Sequence, residues 1–120
     1  MKKIGFIGLG IMGSNIAYHL LEKYKNINII KRNSTNTKKF TKKFANIGKI
    51  NLFENYKKLA ESSELIISCV GNDNDLNDIY LKKNKILDGV KKNTIIVDHT
   101  TASLDISIKL FKKFENKNAF

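Results

Sequence analysis

The stretch from Lys3 to Gly13, KIGFIGLGIMG, constrains the fold of this chain more than any other, because an apolar run stops abruptly in three glycines spaced GxGxxG. That order calls for a strand, a tight turn and the start of a helix. Ile4, Phe6 and Ile7 supply the strand, and the turn is made by Gly8, Leu9, Gly10, Ile11, Met12 and Gly13. Gly8 serves the turn itself, Gly10 the close approach of a pyrophosphate, and Gly13 the packing of helix on sheet. The helix carries Ile16, Ala17, Leu20 and Leu21 at helical spacing, and the unpaired N–H groups and positive dipole end of its first turn face whatever anion sits over the glycines. Glycines recur in any βα turn that needs positive φ. Here the apolar run before them and the amphipathic helix after them favour cofactor binding over a packing turn.

A chain of 120 residues, 42% hydrophobic, makes one domain with a real core. No run approaches the roughly 20 apolar residues of a membrane span, and the N-terminus enters a strand without the apolar block and cleavage site of a signal peptide. The expectation is a cytoplasmic protein that does not bind a membrane. The one cysteine, Cys69, lies inside the apolar run Leu65 to Val70 and reads as a small core residue rather than a nucleophile. His19 and His99 have no close ligand cluster, so no metal site is expected. The net charge of +11, from 22 basic against 11 acidic side chains, permits a polyanionic partner. The excess is nearly all lysine spread over several helices, and no interleaving of aromatic and basic residues on a strand marks a nucleic-acid platform. A solvated lysine surface is the reading, with no nucleic acid bound.

After the first helix, Ile27 to Ile30 (INII) forms a second strand, followed by Lys31, Arg32, Asn33 and Ser34. The ribose of a bound dinucleotide belongs here, and an NAD site places a carboxylate about 20 residues beyond the glycines. Between Glu22 and Glu54 there is no Asp or Glu. Arg32, the only arginine, has a planar fork suited to a 2′-phosphate and to the face of an adenine. Ser34 or Thr35 caps the next helix, which runs to about Ala45, buries Phe40 and Phe44, and turns Lys38, Lys39, Lys42 and Lys43 to water.

Ile50 to Phe53 offers a third strand and Asn55 to Ser62 a short helix carrying Tyr56 and Leu59. The run Leu65 to Val70 is a strand covered on both faces. Val70 and Gly71, at its carboxyl end, lie beside the cofactor, whereas the Asn/Asp run that follows also reads as a turn and helix cap. For Asp75, cofactor contact and local capping stand as equal alternatives. A helix around Leu76 to Leu81 and a turn at Asp88 and Gly89 lead to a fifth strand, Thr94 to Asp98. Beyond it, the hydroxyls of Thr100 and Thr101 can meet the nicotinamide ribose, and Ser103 caps a last helix, Leu104 to Phe114.

Taken together, GLGIMG, KRN, SCVGND and DHTTAS resemble the β-hydroxyacid dehydrogenase family, over the whole chain and in the right order. The resemblance implies that Arg32, with Asn33 or Ser34, receives the 2′-phosphate of NADP, in preference to NAD. It also implies that Val70 and Gly71 touch the adenosine half, that Thr101 touches cofactor, and that Asp98 is structural. Members of that family continue with a substrate-gripping Gly/Ser-rich segment, a catalytic lysine and an all-helical second domain. The expectation is therefore a truncated piece, residues 1–120 forming the dinucleotide-binding domain and containing no catalytic residue. Phe111, Phe114 and Phe120 would then be left uncovered and drive self-association into a homo-oligomer.

The fold expected is a Rossmann-type α/β domain, a doubly wound parallel sheet of strand order 3-2-1-4-5, incomplete at the C-terminus, with its crevice between the first and fourth strands. The function expected of the parent protein is hydride transfer between NADP and a small 3-hydroxy acid or aldehyde acid. The alternative is a non-catalytic dinucleotide-binding or sensing module.

Overall fold

The computed structural model describes residues 3–32, 34–100 and 103–120. Strands and helices alternate: β1 (Ile4–Ile7), α1 (Ile11–Tyr24), β2 (Asn26–Ile30), α2 (Thr35–Phe44), β3 (Lys49–Phe53), α3 (Tyr56–Glu61), β4 (Leu65–Ser68), α4 (Asp73–Tyr80), α5 (Ile86–Gly89), β5 (Ile95–Asp98) and α6 (Leu104–Glu115). The strands form one parallel sheet in the order β3-β2-β1-β4-β5, the Rossmann arrangement expected. Because the order reverses between β1 and β4, the chain beyond those two strands diverges to opposite faces and opens a crevice at the carboxyl edge.

Alternation along the strands sends successive side chains to two separate cores. Ile4, Phe6, Ile27, Ile29 and Ile67 face α1 and α2, where Ala17, Leu21 and Phe40 meet them. Ile7 and Ile66 face the other way, onto Leu59, Leu76, Tyr80 and Ile86 of α3, α4 and α5. Gly13, Ala17 and Leu21 are the buried stripe of α1, small where the helix crosses the sheet most closely. Asn28 lies on the α3 side, buried within β2, and its amide donates to the Ser62 carbonyl at 3.1 Å and the Ser63 hydroxyl at 3.2 Å while its oxygen accepts from Asn51 at 2.9 Å. A polar residue in the INII strand is tolerated because every group it buries is bonded.

Several sequence expectations change here. Asp88 and Gly89 end the one-turn helix α5 instead of forming a turn. A Cβ on Gly89 would come within 2.2 Å of the Lys57 carbonyl oxygen, so this glycine lets α5 press on α3. The strand β4 stops at Ser68, leaving Cys69 just outside it, half-buried and packed against the edge of the core beneath α1 and α2. Phe44 is only half-buried. Phe114 is not uncovered: it is 5% exposed and meets Tyr80 edge to face at 5.6 Å. Phe111 and Phe120 are exposed as expected, and the Phe120 backbone bonds to Thr94 and Ile96 alongside β5.

Leu59 is fully buried between α3 and the sheet, so Leu59→Ala should cost about 2–5 kcal/mol. Tyr80→Phe removes one hydrogen bond, to Ser68 at 2.7 Å, and should cost only about 1 kcal/mol. Urea unfolding followed by circular dichroism gives both values, and a Tyr80 loss exceeding that of Leu59 would refute this division of the core.

Candidate dinucleotide site

The glycine turn is built by backbone-to-backbone contact. Gly8 has φ +104°, and a Cβ there would lie 2.1 Å from the Cys69 carbonyl oxygen; a Cβ on Gly13 would lie 1.8 Å from the Gly8 carbonyl oxygen. The end of β1, the start of α1 and the end of β4 therefore touch with no side chain between them. Gly10 is different, since a Cβ there would meet nothing within 4 Å. The space above it is open. Gly10 is also the N-cap of α1, makes no side-chain cap bond, and the first turn holds no acid. Among the described residues no side chain competes for those N–H groups, which is what an anion site at a helix N-terminus requires. Ser14 holds the turn from behind by donating to the Leu9 carbonyl at 2.9 Å.

A cavity of about 630 Å³ runs along this edge. It brings together Gly8, Leu9, Gly10, Arg32, Ser34, Val70, Gly71 and Asp75 of the residues expected from sequence. Ile11 and Met12 project into solvent at the rim, 92% and 64% exposed, and Gly13 is buried beneath the turn. Asn33 and Thr101 lie outside the described residues. Thr100 does not line the cavity: its hydroxyl donates to Asp98 at 2.7 Å and accepts from the Val70 amide at 2.9 Å. It positions Val70. Asp98 also accepts from Ser68 at 2.7 Å, and Ser68 accepts from Tyr80, whose phenol burial holds far above the ordinary tyrosine value and hence protonated. This relay of hydroxyls ties the ends of β4 and β5 together and bears out the structural reading of Asp98.

At the far end of the cavity, Arg32 is exposed and, among the described residues, has no carboxylate within ion-pair distance. Its neighbour Lys31 is 3.9 Å from Glu54 at an exposed site, a pair of little energetic weight. Ser34 caps α2 by accepting from the Thr37 amide at 3.2 Å. Asp75 accepts from the Gly71 amide at 3.1 Å and faces the cavity as well, while the cap of α4 is Asn72. Asp73 accepts from the amide and hydroxyl of Ser103, which hold its carboxyl below the usual range and join the loops after β4 and β5.

Tyr56, Asp78, Ile79 and Lys85 also line the cavity, and motif reasoning missed them. For Tyr56 the signal lay in topology: in a parallel sheet every β-to-α step begins at the carboxyl edge, so the first residue of α3 arrives at the cavity.

A doubly wound sheet with an open glycine cradle at its switch point defines a dinucleotide-binding domain. Residues 3–120 match the family described as the NAD binding domain of 6-phosphogluconate dehydrogenase, and the chain belongs to that family. An uncharacterized oxidoreductase of Shewanella frigidimarina is 32% identical over 118 residues, 98% of this chain and 39% of that protein. The mitochondrial 3-hydroxyisobutyrate dehydrogenase of Drosophila melanogaster is 30% identical over 118 residues, 98% of this chain and 34% of that protein. The solved structure of Mycobacterium tuberculosis 3-hydroxyisobutyrate dehydrogenase with L-serine superposes with a TM-score of 0.83 over 100% of this chain and 38% of that one, at 18% identity, a likeness of fold. The chain spans well under half the length of these relatives.

Gly10→Val should fold with a urea midpoint close to that of the parent chain, within about 0.5 kcal/mol, because its side chain enters open space. Gly13→Ala should lose at least about 1–3 kcal/mol, because its methyl group displaces the Gly8 carbonyl. Equal stabilities for the two variants would contradict the contacts described for the turn.

Proposed function

We propose that residues 1–120 form the NADP(H)-binding domain of a longer oxidoreductase. The parent enzyme would exchange a hydride between NADP and the carbinol or carbonyl carbon of a small 3-hydroxy acid or aldehyde acid. The observation that carries the cofactor preference is Arg32 at the end of the cavity, free of carboxylate partners among the described residues, on a stretch from Lys23 to Phe53 without an acid. An NAD site needs an acceptor for two ribose hydroxyls there; a 2′-phosphate needs a cation. In this reading Gly8 to Gly13 and the α1 N-terminus hold the pyrophosphate. Arg32, with Asn33 or Ser34, takes the 2′-phosphate. Val70, Gly71 and Asp75 border the adenosine half, Thr100 supports Val70, and contact with the nicotinamide ribose is assigned to Thr101.

The nicotinamide ring, when bound, supplies the hydride acceptor and donor. These 120 residues bind and orient it, and the general acid/base belongs to a part of the parent outside them. The substrate class rests on the resemblance of the motifs and on the oxidoreductases among the relatives. On this reading the chain by itself, assayed for NADP-dependent oxidation of 3-hydroxyisobutyrate and reduction of tartronate semialdehyde, should show no turnover. Measurable turnover of either would put a catalytic group among residues assigned here to cofactor or surface.

Titration calorimetry with NADP+ and NAD+ tests the preference. Charge-assisted hydrogen bonds are worth about 1.5–3 kcal/mol, so Arg32→Ala should weaken NADP+ at least about tenfold and leave NAD+ nearly unchanged. Equal losses for both cofactors would exclude the 2′-phosphate role.

A further inference from the structure

One polar group in the cavity has no role so far. Tyr56, the first residue of α3, is 8% exposed, yet it lines the cavity, and no described residue hydrogen-bonds its hydroxyl. No fully buried side-chain oxygen or nitrogen among the described residues lacks a partner, so this hydroxyl is not sealed in the protein. It opens onto the cavity. The contrast is with Tyr80, which is fully buried and whose hydroxyl is spent on Ser68. A phenol that buries its ring and leaves its oxygen unpartnered at a ligand cavity is a group awaiting a ligand atom.

The surroundings say which kind of atom. Ile79 is buried in the same core cluster as Tyr56, and Ile30 is packed against it; both line the cavity, giving a flat ligand apolar surface. Lys85 stands over the Tyr56 ring, Nζ 5.0 Å from its centroid. Burial raises the Tyr56 phenol in pKa, with Arg32 opposing and Asp75 adding a smaller push upward, and Asp75 and Asp78 line the same cavity. The phenol is thus a neutral O–H donor with carboxylate acceptors near it. A purine is favoured, with its faces against isoleucine and its polar edge against the hydroxyl.

We propose that the Tyr56 hydroxyl reads the polar edge of the purine base and makes the site select a 6-amino purine over a 6-oxo purine. An adenine ring nitrogen N1 is unprotonated and accepts from the phenol, while its amino group suits the neighbouring carboxylate acceptors. In hypoxanthine N1 carries a proton and the 6-position is an acceptor, so the phenol keeps a bond at N1 only by turning to accept, and the carboxylate acceptors face an oxygen instead of an amino group. This inference rests on the reading of the cavity as a dinucleotide site.

The test is titration calorimetry of the chain with NADP+ and with deamino-NADP+, which differs only in carrying hypoxanthine. The parent chain should bind NADP+ about three- to tenfold more tightly, the range of one neutral hydrogen bond. Tyr56→Phe, which keeps the ring and its contact with Lys85, should weaken NADP+ by that factor and deamino-NADP+ by clearly less. Equal binding of the two cofactors by the parent chain overturns the inference without any variant, and so decides the matter even where Tyr56→Phe does not fold. Equal weakening of both cofactors by Tyr56→Phe overturns it too, as does a loss that tracks NADP+ against NAD+ instead, which would put the hydroxyl on the 2′-phosphate. A parent chain that binds neither cofactor removes the dinucleotide reading itself, an outcome distinct from the others.

Discussion

Everything at the candidate site depends on the contact of three backbone segments at the end of β1. Gly8 can lie against Cys69, and Gly13 against Gly8, only because neither carries a Cβ; a methyl group at either place would overlap a carbonyl oxygen at 2.1 or 1.8 Å. This closeness brings the first turn of α1 over the sheet edge and leaves the space above Gly10 as the one open part of the turn. The residue whose Cβ would touch nothing is the one where a ligand can approach the backbone, and the two whose Cβ would collide are the ones that hold the turn shut.

Around that contact, hydrogen bonds that run from the buried Tyr80 and Ser68 out to exposed side chains fix the loops that flank the cavity. The relay Tyr80 to Ser68 to Asp98, with Thr100 bonded between Asp98 and Val70, ties the loop after β4 to the end of β5. Asp73 and Ser103 join the starts of α4 and α6. The bonds of Ser68 and Tyr80 satisfy groups that would otherwise be costly to bury, and the set makes the wall beyond Val70 a pre-formed surface. The lysine excess plays no part in this wall beyond Lys85. The lysines of α2 and α6 lie on exposed faces, and Arg32 and Lys85 are the cations that line the cavity.

What was legible in the sequence was local. The glycine turn, the Ser34 and Ser103 caps, and the alternation of short apolar runs with helical stretches each depend on residues within a few positions of one another, and the parallel sheet and its strand order followed from them. What was not legible required knowing a neighbour from far along the chain. Asp88 and Gly89 look like a turn until α3 is placed against them. Phe114 looks uncovered until Tyr80 is seen to pack on it. Thr100 looks like a ligand contact until its hydroxyl is found on Val70. Tyr56 carried an apolar signal that concealed a polar one: its ring fits the helix pattern, and only the topology of the sheet shows where its hydroxyl emerges.

The central claim is that the carboxyl edge between β1 and β4 is where a dinucleotide binds. Amide shifts in 15N-correlated NMR spectra of the labelled chain, recorded as NADP+ is added, test it at residue level. The account predicts that the largest shifts fall on Gly8, Gly10, Ile11, Met12 and Gly13, with smaller ones at Arg32, Val70 and Gly71. Shifts confined to α6 and the exposed side of β5, or none at saturating cofactor, would contradict it.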